Sequence, residues 1–600
     1  MTTLTILPAS ATSKETLEPV IVTATRTAQT VDETLASVSI ITRKDIEQLQ
    51  VQSIQDLLRN QVGFSVTNNG GAGKNTSIFI RGTESDHVLV LIDGIKVGSA
   101  TLGTTAFQNL DIDQIERIEI VRGPRSSLYG SEAIGGVIQI FTRKGRKKVT
   151  PSFSTSMGKY NTKKVNVGLA GGSKNSWYNI GLSGFSTAGF NSCSGSFFAG
   201  CFTVEPDNDS YRSRAESFRA GHRFNNGLET DFTFTRTQGK VEFDGFENES
   251  DTLQQVIGGT LKYSPIDNWF TSLTIGRNND QSDNFKDGTY SSTFDTERDS
   301  ISWQNDITIS DKQLLTLGID YLNDNIYAVT FAAFPVTSRD NTGVFAQYQG
   351  NYGSNNLLLA IRQDDNEQFG NHTTGSLSWG YAFNPKLKLI GSYGTAYKAP
   401  SFNELYFPFF GIPTLQPELS KTFEAGIKSE PSWGKWDVTI YQTKIDDLII
   451  YDPSILGPAN ISSASIRGFE TRLQTRLANW DIDSNLTLLD TKDNSPGANN
   501  GNQLTRRAKT TLNLNMDRKY GKLSAGLSLH VRSSIYDDSA NSRKLKGYTT
   551  VDIRAAYPFA KNWLMQARID NVFDKRYETA SFYNQPKGDV WLTLRYKPEK

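Results

Sequence analysis

The chain has 600 residues, with 63 Lys and Arg balanced by 63 Asp and Glu, a formal net charge of +0 and a hydrophobic fraction of 37%. Balanced charge without a basic tract excludes a nucleic-acid footprint. Nowhere do about 18 apolar residues run together, which excludes an ordinary transmembrane helix but leaves a membrane barrel open.

The opening stretch "MTTLTILPASATS" holds a short apolar run and the small triplet Ala9-Ser10-Ala11, which suits signal peptidase. Residues 1–11 read as the tail of a secretory signal, with a disordered terminus as the alternative, and the mature chain is expected to begin near Thr12. Within the next segment, 12–34, "LEPVIVTATR" carries Val20, Ile21, Val22 and Thr23, a β-branched run that predicts one short strand. The residues that follow, "TAQTVDE", carry no hairpin turn. The expectation is a lone edge strand whose open amides and carbonyls invite another chain.

Residues 35–148 read as a small mixed α/β domain. Thr42-x-x-Asp45 and Ser53-x-x-Asp56 are helix starts, and Ile46 with Leu49, then Ile54, Leu57 and Leu58, give helical spacing for two short helices. "SIFIRG", "HVLVLIDGI" and "IERIEIVRGP" follow as brief, buried strands joined by Gly-rich links.

From 149 to 600 the pattern changes to a dyad. Tyr178, Ile180 and Leu182 alternate with Asn179, Gly181 and Ser183, and the same period returns at Leu387–Tyr393, Trp480–Leu488, Val551–Tyr557 and Val590–Tyr596. A soluble β-protein and a membrane barrel both alternate in this way. The barrel is favoured by 23 Tyr and 33 Phe, by short connections such as "FNPK" alternating with long ones such as 191–211 and 399–420, and by a folded domain upstream able to fill a wide lumen. At about 20 residues per strand with its share of loop, the region supports roughly 22 strands, the size for which a plugged lumen is expected.

Cys193 and Cys201, the two cysteines of the chain, stand in "NSCSGSFFAGCFTV" and suit a single disulfide in an oxidising compartment, with two independent thiols as the alternative. His87, His222, His372 and His530 are scattered, without HExxH, GxSxG or a Cys/His pair, so no enzyme is expected. The same scarcity argues against haem as cargo.

"IFIRGTESDHVLVLIDGI" (78–95), "VRGPRSSLYGSEAIGGVIQIFT" (121–142), "GSYGTAYKAPSFNELY" (391–406), "TRRAK" (505–509) and "IDNVFDKRYET" (569–579) together resemble the TonB-dependent outer-membrane receptors, and within them the cobalamin-transporting members. The resemblance spans nearly the whole chain. It implies a transmembrane antiparallel β-barrel with an N-terminal mixed α/β plug, a monomer in outer-membrane lipid, and active transport of cobalamin or a related corrinoid. A ferric siderophore is the alternative cargo, and a passive porin or adhesin the alternative of another class.

The resemblance also assigns residues. Glu18, Pro19, Val20, Ile21, Val22, Thr23 and Ala24 resemble the TonB box, which adds as a strand to TonB, taking affinity from main-chain bonds. The apical stretches "NNGGAGKNTS" and "VGSATLGTTAFQ" match loops that contact ligand, implying Asn68, Asn69, Gly70, Gly71, Ser99, Thr101, Gly103, Thr104, Thr105 and Phe107, with Asn403, Tyr406 and the aromatic loop "LYFPFFG" above them. Glycine permits close backbone approach and neutral hydrogen-bonding residues suit an amide-rich ligand. Asp207, Asp209, Asp244 and Asp251 resemble loop carboxylates that bind Ca2+, with Asn191 where the family carries another Asp. Arg81 and Arg122, at strand ends, are expected to pair with carboxylates on the barrel wall, because an unpaired buried charge costs several kcal/mol.

Overall fold

The computed structural model describes residues 20–145, 147–330, 332–452 and 455–598. The dyad pattern resolves into a wall whose faces are inverted relative to a soluble sheet. On the strand Ser176–Thr187, Ile180 and Leu182 are 41% and 53% exposed, while Asn179 before them is 5% exposed and Gly181 between them is buried. The greasy face points out and the polar face points in, as lipid outside and a hydrated, protein-filled bore inside require.

The wall is a closed barrel of 22 strands, from Thr150–Gly158 to Asp589–Tyr596, each antiparallel to its neighbours in chain order. The last strand closes on the first, with Phe153 opposite Tyr596 and Met157 opposite Leu592. Because the strand number is even, both ends of the barrel chain emerge at the same rim. At this near rim the strands are joined by turns of two to five residues, whereas the far rim carries long connections such as 188–210, 399–417 and 571–588. Phe224, Phe270, Tyr352, Phe383, Tyr520 and Phe559 stand exposed beside the near-rim turns, forming an aromatic girdle at one membrane interface.

The N-terminal domain occupies the bore. Its elements are β1 (Val20–Ile21), β2 (Gln29–Thr30), β3 (Ser37–Thr42), α1 (Arg43–Leu49), α2 (Ile54–Arg59), β4 (Phe64–Asn68), β5 (Thr76–Ile80), β6 (Val88–Ile92), β7 (Ile95–Val97), β8 (Ile115–Arg122), α3 (Ser126–Tyr129) and β9 (Gly136–Thr142). A five-stranded sheet runs in the order β3-β8-β9-β6-β7, with β6 and β9 parallel and the other neighbours antiparallel. Both helix starts read from the sequence are capped: Thr42 Oγ1 accepts from the Asp45 N–H at 3.3 Å, and Ser53 Oγ accepts from the Asp56 N–H at 3.3 Å. Ile46, Ile54, Leu57 and Leu58 then turn inward onto Ile78, Ile80, Ile118 and Ile138, in the largest apolar cluster among the described residues.

Polar ties fix the domain all round the wall. Asp113 meets Lys164 at 2.8 Å, Asp93 meets Arg219 at 2.7 Å, Glu132 meets Arg298 at 2.6 Å, and the Gly63 N–H donates to Thr487 Oγ1 at 2.9 Å.

The N-terminal strand corrects the sequence reading. Among the described residues it spans only Val20–Ile21, and it is not alone, because Val20 pairs with Thr30 and Ile21 with Gln29. The rule for hairpins recognises tight turns, whereas here residues 22–28 fold back as a wide connection held by the plug beneath them. Glu18 and Pro19, with the whole of 1–11, lie outside the described residues.

The inverted wall makes a quantitative prediction. Leu182→Arg should destabilise the lipid-embedded barrel by about 2–4 kcal/mol if position 182 lies near the bilayer midplane, and by less toward a rim. Reversible denaturant unfolding in lipid vesicles measures this, with Asn179→Ser on the lumen face as the near-neutral comparison.

Candidate functional site

Three features of the bore carry function, and the first is the N-terminal segment. The Val22 and Thr23 N–H groups both donate to Glu119 Oε2, at 2.9 and 3.0 Å, and Thr23 Oγ1 donates to the same oxygen at 2.7 Å. Glu119 lies on β8 with its side chain fully buried. Tyr129 OH donates to the Thr23 carbonyl at 3.0 Å, and Gln347 Nε2 donates to the Thr25 carbonyl at 2.8 Å. Arg26 forks onto Asp320 at 3.1 and 2.9 Å, with its guanidinium over the rings of Tyr129 and Phe345. The segment is thus clasped inside the near half of the bore, with Ile21 and Ala24 packed on Val121. Val22, Arg26, Thr27 and Ala28 border a cavity of about 470 Å3 between plug and wall.

The second feature is the set of buried charges joining plug to wall. Arg81, at the end of β5, forks onto Glu470 with both bonds at 3.0 Å and meets Glu424 at 2.5 Å. Arg122 lies 3.3 Å from the same Glu470 and donates to Ser39 Oγ at 2.7 Å. Burial works against the Arg81 charge, but Glu424 and Glu470 more than offset it and hold the guanidinium firmly protonated. One glutamate therefore serves two arginines. A second junction was not legible in the sequence. Buried His87 places Nε2 2.8 Å from Glu418 Oε2 while its Nδ1 accepts from the Glu84 N–H at 3.2 Å, and Lys398 beside them meets Asp86 at 2.7 Å. Burial alone would lower the imidazole's affinity for a proton; Glu418 and Asp86 raise it above the ordinary value. His87 read as scattered because Glu418, the carboxylate its Nε2 meets, lies 331 residues away in the chain.

The third feature is the far rim, where the plug's two apical loops meet outer loops of the barrel. Several expected ligand residues serve structure there. Asn68 is buried, its Nδ2 donating to the Gly71 carbonyl and Thr76 Oγ1 at 3.0 Å and its Oδ1 accepting from the Gly70 N–H at 3.0 Å. Gly70 and Gly71 have φ of +105° and +103° and are covered: a Cβ at Gly70 would stand 2.2 Å from Ser192 Cβ, and one at Gly71 2.9 Å from the Phe190 ring. Their smallness admits an outer loop of the barrel, so the close backbone approach expected of a ligand is made by Ser192 and Phe190. Ser99, Thr101 and Thr105 are buried, with Ser99 Oγ and Thr101 Oγ1 2.6 Å apart and Thr105 Oγ1 donating to the Val97 carbonyl at 3.3 Å. Phe107 is a further correction, because it packs in the plug core against the helices. An aromatic ring after a glycine-rich loop fits a ligand contact or a core anchor equally, and the core takes it. Asn69, Gly103 and Thr104 remain partly exposed, and Leu102, absent from the sequence reading, is well exposed.

Asn403 and Tyr406 lie on α4 (Phe402–Tyr406), whose first turn is laid on the second apical loop: the Phe402 and Asn403 N–H groups donate to the Ala100 and Thr101 carbonyls at 3.2 and 3.0 Å. Asn403 Oδ1 is buried without a hydrogen-bond partner, and Tyr406 OH accepts from Gln368.

The loop 188–210 is closed by a Cys193–Cys201 disulfide with Cα atoms 6.4 Å apart. Asp209 Oδ2 accepts from the Ser192 N–H at 2.6 Å, and Asp244 Oδ2 accepts from the Cys193 N–H at 2.8 Å. Around them stand the acidic Asp207 and Glu205 and the basic Lys74. Burial, and then the charge of Asp209, push Asp244 up to about 7; burial pushes Asp209 up as well and Lys74 down to about 8. Asn191 Oδ1 and Asp244 Oδ1 are buried without a partner. With Asp207, Asp209 and Glu205 beside Asp244, these oxygens are a donor set suited to a hard cation. Asp251 stands apart from the loop, exposed on the strand Glu249–Ile266 opposite Lys240 and Asp283.

The far rim also holds a cavity of about 560 Å3 bordered by Phe79, Tyr451, Asp493, Arg506 and Asp537, in which Arg506 meets Asp537 at 2.5 Å and Arg507 meets Glu84 at 2.5 Å.

A lipid-spanning barrel with a plug pinned in its bore and a clasped N-terminal segment defines a gated outer-membrane receptor. Residues 30–137 match the family described as TonB-dependent Receptor Plug Domain, and residues 148–572 match TonB dependent receptor-like, beta-barrel. The chain belongs to the TonB-dependent receptors, which are transporters and receptors of the bacterial outer membrane rather than enzymes. The near rim is accordingly periplasmic and the far rim extracellular. The chain is 33% identical over 608 residues to a protein of Vibrio vulnificus named vitamin B12 transporter BtuB, covering 97% of this chain and 96% of that one. It is 30% identical over 591 residues to the protein of that name from Photobacterium profundum, covering 96% and 95%. Among solved structures it resembles the siderophore receptor PirA of Acinetobacter baumannii, with a TM-score of 0.82, 18% identity and coverage of 93% and 98%. It also resembles a ferric enterobactin receptor (PfeA) mutant of Pseudomonas aeruginosa in complex with enterobactin, with a TM-score of 0.80, 19% identity and coverage of 93% and 99%. At that identity the structural likeness concerns the fold.

Glu470→Ala should leave two buried arginines short of a partner and loosen the plug by about 3–5 kcal/mol. Protease susceptibility of residues 35–148 in detergent should rise steeply, while the barrel keeps its resistance to unfolding by detergent on a gel.

Proposed function

We propose that this receptor captures cobalamin or a related corrinoid at the cell surface and passes it inward when TonB engages residues 18–24. The observation carrying the cargo assignment is full-length kinship, at about a third identity, with proteins named as vitamin B12 transporters. The chemistry of the far rim agrees with it. The accessible positions of the apical loops, among them Asn69, Asn75, Leu102, Gly103 and Thr104, are neutral, and Arg506 and Arg507 are already engaged by carboxylates. An anionic ferric chelate would call for cationic groups at those apical positions. A passive pore would call for an open bore, and this bore is tied shut from Lys164 to Thr487.

In this reading TonB competes with Glu119 for the same backbone amides. Strand addition uses alternate N–H groups along the segment, and whichever edge TonB pairs with includes either the Val22 or the Thr23 N–H, both now held by the carboxylate. Ca2+ is proposed as a brace for the 188–210 loop, with Asp207, Asp209, Asp244 and Asn191 supplying oxygens and Asp251 left out.

Three outcomes are expected. Purified receptor should bind cyanocobalamin below micromolar in an equilibrium titration and bind ferric catecholates far more weakly; no such corrinoid binding would sink the cargo assignment. Deleting residues 18–24 should abolish uptake by cells and leave that affinity unchanged, whereas a passive pore would keep its flux. Asp244→Asn should weaken Ca2+ binding at least tenfold in calorimetry, and chelation should weaken ligand binding by the wild type more than by the variant.

A further inference from the structure

The finger closed by Cys193 and Cys201 carries a main-chain frame of its own besides the bond between them. Ser196 and Ala199 exchange main-chain hydrogen bonds at 3.0 and 3.3 Å, which makes a tight turn between the cysteines. The base of the finger is tied to the 571–588 connection: the Ser194 N–H donates to the Phe582 carbonyl and the Asn584 N–H to the Ser192 carbonyl, both at 2.8 Å, and Cys193 forms a β-bridge with Tyr583. A Cβ at Gly195 would stand 2.5 Å from Cys201 Sγ, so only a glycine lets that sulfur lie against the turn. Both cysteines are therefore positioned by backbone contacts, and both are buried, at 3% and 5% exposure.

Asp244 meets the pair from the neighbouring outer loop. One of its carboxylate oxygens and the two Sγ atoms all lie within 4.8 Å of one another. The Cys193 N–H holds Oδ2 at 2.8 Å, whereas Oδ1 is buried without a hydrogen-bond partner on a residue that is 5% exposed. A buried carboxylate oxygen in that condition calls for a proton or a cation. The bases nearby are already engaged, with Lys74 Nζ donating to the Asp209 carbonyl at 2.9 Å and Lys286 meeting Glu205 at 2.5 Å. Two sulfurs and one carboxylate oxygen are three of the four donors of a tetrahedral zinc site, which sets its donors roughly 3.5–3.8 Å apart. Thiolate sulfur favours Zn2+ and other soft ions over Ca2+.

We propose that Cys193, Cys201 and Asp244 form a binding site for a thiophilic divalent cation of the Zn2+ class in the chain whose cysteines are reduced, and that this metal and the disulfide are alternative staples of one loop. Oxidation takes two electrons and two protons from the pair of thiols. Metal binding takes the two protons alone, which leave to solvent as both thiolates bond to Zn2+, with Asp244 as third ligand and water as fourth. Each fate consumes the same two sulfurs, so one excludes the other. Every chain is synthesised as the dithiol and meets an oxidising compartment afterwards, and a phosphine or dithiol reductant restores that state later. Filling the site also draws Asp244 away from the hard-cation donors Asp207, Asp209 and Asn191. The inference rests on neither the corrinoid nor the Ca2+ reading.

The test uses Co2+ as a coloured stand-in for Zn2+, titrated into the full-length receptor refolded in detergent with a phosphine present throughout, so that both thiols are free. Heat-modified gel mobility confirms the barrel in every sample. Reduced wild type should take up one Co2+ with near-ultraviolet thiolate charge-transfer bands and the strong visible bands of tetrahedral Co2+, and Zn2+ should displace it. Cys193→Ser/Cys201→Ser should lose the charge-transfer bands while keeping the barrel, and Asp244→Asn should weaken uptake on the order of tenfold or more. Receptor refolded without reductant should show no such bands, and bound Zn2+ should protect both thiols of the reduced chain from oxidation. Reduced, folded wild type that shows no thiolate bands overturns the site. Bands that Asp244→Asn leaves at full affinity overturn it as well, since they mark an adventitious dithiol only. Absence of Ca2+ binding by the oxidised receptor overturns the Ca2+ reading alone.

Discussion

A chain that crosses lipid as strands must satisfy every backbone amide and carbonyl within itself, and only a closed ring does so. Everything else in this protein follows from the size of that ring. With 22 strands the bore is far wider than wall side chains can fill, so a second domain has to fill it, and the wall facing that domain has to be polar. The polar wall in turn dictates how the plug is held. The largest apolar cluster lies within the plug, smaller ones such as Leu128 on Phe345 and Leu35 on Leu358 bridge to the wall, and directional contacts fix the seating: Arg81 and Arg122 on Glu470, Asp93 on Arg219, Glu132 on Arg298. Such contacts favour one seating strongly and lose their worth once a partner is displaced.

The same logic separates what the sequence disclosed from what it withheld. Period-two alternation, the strand number and the capped helix starts are local properties, and Asn179 against Ile180 and Leu182, or Thr42 with Asp45, carry them within a few residues. Which face of the alternation met lipid was not local, since both solutions share one pattern; composition and loop lengths had to decide it. The pairing of β1 with β2 escaped because a wide return stabilised by a distant glutamate has no turn signature. His87 escaped for the same reason, its meaning depending on Glu418.

The far rim shows how a motif can be located correctly while the work of its residues is misread. The two glycine-rich stretches of the plug do reach the mouth of the barrel. Yet Asn68, Gly70 and Gly71 are spent on folding the first loop and admitting Ser192 and Phe190, and Phe107 is spent on the core. Small residues and short polar side chains serve a tight loop as readily as a ligand, and sequence alone does not rank those uses. The residues left uncovered, among them Asn69, Asn75, Leu102, Gly103 and Thr104, are only part of what the motif suggests.

The order of strands in the plug sheet has a mechanical consequence. β3 is both the first sheet strand after the clasped segment and an edge strand, bonded on one side only, to β8. Tension applied at the N-terminus would meet the β1–β2 hairpin, then the Glu119 clasp and the Arg26–Asp320 fork, and then this edge. It could strip β3 away and leave β8, β9, β6 and β7 zipped together. The material withdrawn in the first of those steps is the material that borders the 470 Å3 cavity. The fold therefore yields in instalments, beginning where space already exists, so a modest pull could widen a passage without emptying the bore.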